Sequence, residues 1–299
     1  MLVALHDADK TRFPNLALMK LSGWHKSHGD TVVWFSHMKR ASYDLVYSSR
    51  VFSWTAEEES LPGNTIRGGT GYGLLHELDA EIEHSRPDYS LYPDFTSSLG
   101  FTTRGCIRSC PWCIVPKKEG SIRPHASILE FLRPDSREVT LLDNNILASD
   151  WGLSQLIKVI DMRLKLDCNQ GLDARIIANT PAIAQLLAEI SWPRGIRLAC
   201  DDKSQMEPVE KAVQSIRKYS GKKGRFSCYV LVKNVEDALE RVTFLRQLDV
   251  DPFAQPYREP GSKCEPEKIL KHFARWVNRK WIFKACSWEE YIFNKMNKI

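Results

Sequence analysis

Short runs of β-branched or aromatic residues at 2–5, 31–35 and 44–47 predict strands. Between the first two, residues 14–28 carry Leu16, Met19, Lys20 and Gly23 at helical spacing. The order predicts a βαβ unit. A glycine-rich segment, Arg67-Gly-Gly-Thr-Gly-Tyr-Gly73, and an amphipathic stretch over 74–84 extend it to another strand, loop and helix of a parallel sheet. Residues 68–73 lack the Gly-x-Gly-x-x-Gly register and the P-loop lysine, so they read as a tight turn and not as a phosphate cradle. The segment 85–96, with Pro87 and Pro93, predicts a linker between domains.

Beyond it the rhythm is regular. Strands are predicted at 99–103, 138–142, 171–177, 196–200, 226–232 and 250–254, alternating with helical patterns. The helix over 151–165 places Leu153, Leu156, Ile157, Ile160 and Leu164 on one face, and that over 181–190 does so with Ile183, Leu186, Leu187 and Ile190. Thr180 before Pro181 marks a helix start, as does Asn234 before Val235, Leu239, Val242 and Leu245. Repeated βα units imply right-handed crossovers in an α/β fold.

At 299 residues, 43% apolar and 26% charged, the chain has the composition of a globular protein with a substantial core. No apolar run approaches the roughly 20 residues that span a bilayer, and the start lacks the marks of an export signal, so no membrane partner is expected. The net charge of +5 is uneven: residues 263–299 hold nine Lys or Arg against four Glu, and the remainder balances. Such a basic end can attract nucleic acid, or can be a solvated helical face.

Chemistry concentrates at 105–115, Gly-Cys-Ile-Arg-Ser-Cys-Pro-Trp-Cys-Ile-Val, with the spacing Cys106-x3-Cys110-x2-Cys113. An odd number of thiols in so tight a loop cannot be consumed by disulfides among themselves, and a shared metal centre is the natural use. Tetrahedral zinc would want a fourth Cys or His, yet the nearest histidine, His125, is twelve residues on. An iron–sulfur cube held by three thiolates keeps one iron open to a ligand that is not protein.

Cys106-x3-Cys110-x-Trp112-Cys113, preceded by Phe101-Thr-Thr-Arg-Gly105, resembles the cluster motif of the radical SAM superfamily. The resemblance implies a [4Fe–4S] cluster on these cysteines with S-adenosylmethionine (SAM) on its open iron. It also implies reductive cleavage of SAM to a 5′-deoxyadenosyl radical, which abstracts hydrogen from a substrate, and an electron donor such as flavodoxin or ferredoxin. The implied fold is a partial (β/α)6, TIM-like barrel over 97–260. Residues 1–90 resemble the Rossmann-like cobalamin-binding domain of several branches. Their His6-Asp7-Ala8-Asp9 does not match the Asp-x-His-x-x-Gly ligation signature, so a vestigial or substrate-positioning domain is expected. Residues 261–299 complete the chain as a basic, aromatic helical cap. An oxygen-sensitive cluster belongs in a reducing compartment, which points to the cytoplasm.

In parallel α/β folds ligands sit at the carboxyl ends of strands. Asp143 and Asn144 stand where the family presents polar groups to the amino group of the methionine moiety. Gln170 and Arg175 flank or lie in the third strand, where Asp173 and Arg175 would share a face and Arg175 would pair with the methionine carboxylate. Asp201 and Asp202 would accept from the ribose hydroxyls, Trp112 would line the cofactor, and Tyr257 is the candidate catalytic or cavity-lining residue. The remaining cysteines lack ligand spacing; Cys200 and Cys228 read as buried structural thiols. Phe273, Trp276, Trp281, Phe283, Trp288, Tyr291 and Phe293 could stack nucleic-acid bases, but packing is the commoner use of such side chains. The competing expectation is a zinc-stabilised nucleic-acid-binding module in which the cysteine loop is structural.

Overall fold

A computed structural model describes residues 1–221 and 224–296. The chain is mixed α/β and forms two compact units, residues 1–140 with 260–263 and residues 141–259 with 264–299. The division falls inside a strand and not at the linker over 85–96.

In the first unit, β1 (Leu2–Asp7), α1 (Leu16–Ser27) and β2 (Thr31–Trp34) form the expected βαβ crossover. β3 (Leu45–Ser49) and β4 (Thr65–Gly68) complete a parallel sheet of order β2-β1-β3-β4. Alternate residues of β1 point to opposite faces, and both faces are covered. Leu5 packs with Leu18 and Leu21 of α1, and Ala4 with Tyr43 and Val46. The glycine-rich segment is a turn folded onto Arg50, which donates from Nη2 to the Gly71 carbonyl (2.6 Å) while its own carbonyl accepts from the Gly71 N–H (2.8 Å). The helix expected over 74–84 shrinks to α2 (Ala80–Glu83). Leu75, His76 and Glu77 are exposed with nothing to pack on, so only the end of the stretch, where Ile82 joins Leu5, Leu18 and Leu21 in the core, is helical. The expected linker is tied down: Tyr89 donates to the Phe131 carbonyl at 2.5 Å and accepts from the Leu99 N–H at 3.0 Å.

The strand expected over 99–103 is two pieces, β5 (Ser98–Gly100) and β6 (Thr103–Arg104). After α3 (Val115–Lys118), β7 (Arg123–Pro124) returns antiparallel to β6, with Arg104 opposite Arg123. α4 (Ile128–Phe131) and β8 (Glu138–Leu141) follow.

The second unit opens with α5 (Asp150–Asp161), β9 (Lys165–Cys168), α6 (Ala174–Asn179) and α7 (Pro181–Glu189). Two expectations are corrected here. The helix expected to run to 165 ends at Asp161, and its buried stripe is Gly152, Gln155, Leu156 and Val159, with Ile157 exposed. The third strand lies at 165–168 and not at 171–177, which starts helix α6. The local reason is polar: the Asp173 carboxylate accepts from the Arg175 N–H (3.1 Å) as a helix N-cap, and Gly171 adopts φ +84°, a value strands do not use.

From there β10 (Ile196–Ala199), α8 (Met206–Ser220), β11 (Phe226–Val232), α9 (Val235–Gln247) and β12 (Asp251–Pro256) alternate as the apolar pattern predicts. They build a parallel sheet of order β10-β11-β12. Asn234 caps α9 as expected, accepting from the Asp237 N–H at 3.1 Å.

The basic tail folds into α10 (Lys268–Asn278), α11 (Lys280–Ala285) and α12 (Trp288–Met296). Its aromatic residues mostly pack on one another: Phe273, Trp276, Phe283, Trp288 and Tyr291 are buried in a chain of ring contacts, leaving Trp281 and Phe293 exposed. α10 lies along β12, and Asn278 mimics a neighbouring strand there. Its Oδ1 accepts from the Ala254 N–H (2.8 Å) and its Nδ2 donates to the Ala254 carbonyl (2.9 Å). Among the described residues no helix is long and apolar enough to cross a membrane.

Candidate functional site

The cysteine motif is the tip of a stem and loop. The stem is the β6–β7 pair, and the loop runs from Gly105 to residue 122, closed at its base by the Cys106 N–H on the Gly120 carbonyl at 3.2 Å. Gly105 makes that closure possible: it adopts φ +80°, and a Cβ there would stand 2.2 Å from the Ser121 carbonyl oxygen. A turn sets the last two thiols, with the Cys113 N–H donating to the Cys110 carbonyl at 3.0 Å. Cys106, Cys110, Trp112 and Cys113 are all half-buried.

Backbone donors already reach two of the sulfurs, Arg108 N–H to Cys106 Sγ at 3.3 Å and Val115 N–H to Cys113 Sγ at 3.4 Å. Hydrogen bonds to sulfur are among the contacts that tune iron–sulfur sites. The donor set therefore fits an iron–sulfur cluster in chemistry and spacing. Its present arrangement is not that of a bound site: among the described residues no group of three or more His, Cys, Asp or Glu is disposed to hold a metal ion. Metal sites are commonly completed by the metal itself, since ligation supplies the energy that orders the ligands.

Below the loop lies a buried ionic cluster that sequence reasoning did not assemble. Glu83, at the end of α2, accepts from Arg104 Nη2 at 2.7 Å and from Lys20 Nζ at 3.0 Å; Lys20 also donates to the Glu83 carbonyl. His125 Nε2 stands 3.0 Å from the same carboxylate. Burial opposes the Glu83 charge, but the His125 imidazole and the positive charges of Lys20 and Arg104 outweigh it. Together they hold the carboxyl well below its ordinary range. Burial likewise lowers the Lys20 pKa, against the pull of Glu83. Arg104 lies over the Phe101 ring (3.7 Å) and reaches Glu119 at 3.3 Å, so it joins both ends of the cysteine loop. The signal in the sequence was Lys20, a cation among the apolar positions of α1.

In the second unit the strand ends gather several of the expected residues. Asn145 donates to Asp173 at 3.2 Å, and Asp173 in turn holds Arg175, Nε to Oδ1 at 2.9 Å. The two do not share a strand face; they are an N-cap and the second residue of α6. Asp143 is buried, and the half-buried Asn144 keeps Oδ1 shielded with no hydrogen-bond partner among the described residues. Asp201 accepts from the Leu231 N–H at 3.0 Å. Burial raises its pKa, with the hydrogen bond and the charges of Arg241, Lys233 and Arg175 opposing. Asp202, by contrast, is a cap: its carboxylate accepts from the Ser204 hydroxyl and N–H, and these bonds lower its pKa. Gln170 is exposed on a turn. Tyr257 follows β12, with Lys233 Nζ 5.3 Å from its ring centre. Burial drives the thiols of Cys168 and Cys228 well above their usual pKa and pushes Cys200 up to about 12, the behaviour of inert structural cysteines.

No protein-family model matches this chain.

Proposed function

We propose that this chain is a radical SAM enzyme. The observation that carries the reading is the stem and loop that sets Cys106, Cys110 and Cys113, with Trp112, within eight residues hinged at Gly105. When bound, a [4Fe–4S] cluster on these thiolates would supply the electron that cleaves SAM to methionine and the 5′-deoxyadenosyl radical.

The chain's own residues have more limited tasks in this reading. The Arg108 and Val115 N–H groups donate to the sulfurs of Cys106 and Cys113, and Gly105 lets the loop return to its stem. The shielded Oδ1 of Asn144 is an acceptor in want of a donor, which suits an ammonium group. Asp201 offers a carboxylate to ribose hydroxyls. Arg175, held by Asp173, keeps part of its fork for a carboxylate only if that contact rearranges. The sheet β10-β11-β12 with its α8 and α9 crossovers supports a partial (β/α)6 barrel, and the parallel sheet β2-β1-β3-β4 supports a Rossmann-like module ahead of it.

Anaerobic reconstitution with iron and sulfide, followed by dithionite and SAM, tests the proposal. The expected product is 5′-deoxyadenosine, with about four irons per chain and a chromophore that Cys106→Ala abolishes and Cys228→Ala leaves intact. Zinc at about one per chain without iron or acid-labile sulfide would favour the structural-zinc alternative. A fully loaded cluster without 5′-deoxyadenosine would overturn the assignment.

A further inference from the structure

The second unit carries a cavity of about 310 Å³ at the amino ends of β10, β11 and β12, the opposite ends from those that carry Asp201 and Tyr257. Four of its lining side chains are cations, Arg194, Arg197, Arg225 and Lys280. Among the described residues they pair with two carboxylates, Asp251 in the lining and Asp167 behind it. Asp167, buried in β9, receives Arg194 Nη1 at 3.2 Å and Arg197 Nη1; Asp251 receives Lys280 Nζ and has Arg225 Nε at 4.0 Å. Two positive charges are left in excess within one concave surface.

Beyond those contacts with Asp167, the guanidinium N–H groups of Arg194 and Arg197 make no hydrogen bond among the described residues. Guanidinium forks with unused donors match the oxygens of a phosphate, and low-dielectric walls strengthen the field of the excess charge. One wall is apolar: Phe253, 44% exposed, with Pro193 and Pro252 beside it. A ring or sugar face can lie there. The volume sits at the small end of ligand pockets, which run from about 300 Å³ upward.

We propose that this cavity is a binding site for a small phosphomonoester, its dianion matched by the two surplus cations and its organic part laid on Phe253. The site is separate from the chemistry assigned above and does not depend on it. A free phosphomonoester is favoured over a nucleic-acid backbone because the excess charge is confined to one cavity, whereas strand binding needs a track of cations.

Calorimetric titration of the full-length chain with phenyl phosphate, in about 50 mM salt, tests the proposal. The expected result is saturable binding of one molecule per chain, with phenol, which lacks the phosphate, binding at least about tenfold more weakly. The double variant Arg225→Ala/Lys280→Ala alters two exposed side chains, so it should keep its unfolding midpoint while losing about tenfold or more in affinity. Lys211→Ala, a cation of α8 paired with Glu207, should change nothing. The proposal falls if neither phenyl phosphate nor inorganic phosphate saturates by about 20 mM, or if the double variant binds as well as the parent. It also falls if a single-stranded oligonucleotide binds the same cations far more tightly than phenyl phosphate with a steep salt dependence, which would make the surface a backbone track.

Discussion

Glu83→Gln isolates the ionic cluster beneath the cysteine loop. The substitution keeps the shape of the side chain and removes its charge, leaving Lys20 (6% exposed) and Arg104 (17% exposed) without their shared carboxylate. Removing one partner of a buried ion pair costs about 3–5 kcal/mol, chiefly because the other charge is left uncompensated. Lys20 retains the Glu83 carbonyl and Arg104 retains Glu119, so the low end, about 3 kcal/mol, is expected here. In a chain of this size that lowers the thermal midpoint by roughly 6–12 °C.

The assay is urea unfolding of the reduced protein at pH 7, followed by circular dichroism. The pH dependence carries a sign. Because the folded state holds the Glu83 carboxyl well below its ordinary pKa, the stabilisation is complete above the unfolded value of about 4.3 and is lost as pH falls through the depressed folded-state pKa. The parent should therefore lose stability on acidification where Glu83→Gln does not, and the two should converge in acid. Adding Lys20→Met should recover about 1 kcal/mol or more, since a buried cation is replaced by an apolar side chain of similar volume. A Glu83→Gln protein within about 0.5 kcal/mol of the parent at pH 7 would refute the reasoning.

Gly105→Ala should open the base of the loop, costing about 2 kcal/mol or more through the positive φ and the clash with Ser121, and hydrogen exchange at the Cys106 amide should report it as lost protection. Asn278→Ala strands the Ala254 N–H and carbonyl, an expected loss of about 1–3 kcal/mol read from the urea midpoint. Native-state alkylation should modify Cys106, Cys110, Cys113 and the exposed Cys264, while Cys168, Cys200 and Cys228 react only on unfolding; mass spectrometry of the labelled peptides decides this.

Where apolar residues alternate or recur with a clear period, the fold was legible. β1, β2, β3, β10, β11 and β12, and the helices α1, α7 and α9, fall within a few residues of where the pattern puts them, because burial is what those periods encode. The pattern misled where polar chemistry or missing contacts decide. Over 171–177 an N-cap at Asp173 and a left-handed glycine override an apolar run that reads as strand, and over 74–84 only the end of the amphipathic stretch, at Ile82, reaches the core while Leu75 stays exposed. The cysteine loop was legible as a motif but not as a stem and loop, since the pairing of Arg104 with Arg123 spans residues with no strand period. Likewise Lys20, Glu83, Arg104 and His125 are too far apart in the chain for spacing to reveal that they meet.

The outer margin of β12 has a consequence for assembly. Odd-numbered amides of this strand face β11, as the Tyr257 N–H on Val232 just beyond its end shows, so the outward-facing positions are Pro252, Ala254 and Pro256. Proline offers no donor, and the single remaining one is spent on Asn278. An incoming β-segment, whether from a second copy or from a peptide, finds nothing along this border to donate to it, which guards the sheet against templated aggregation. Self-association by prolonging the ladder at β12 is accordingly disfavoured.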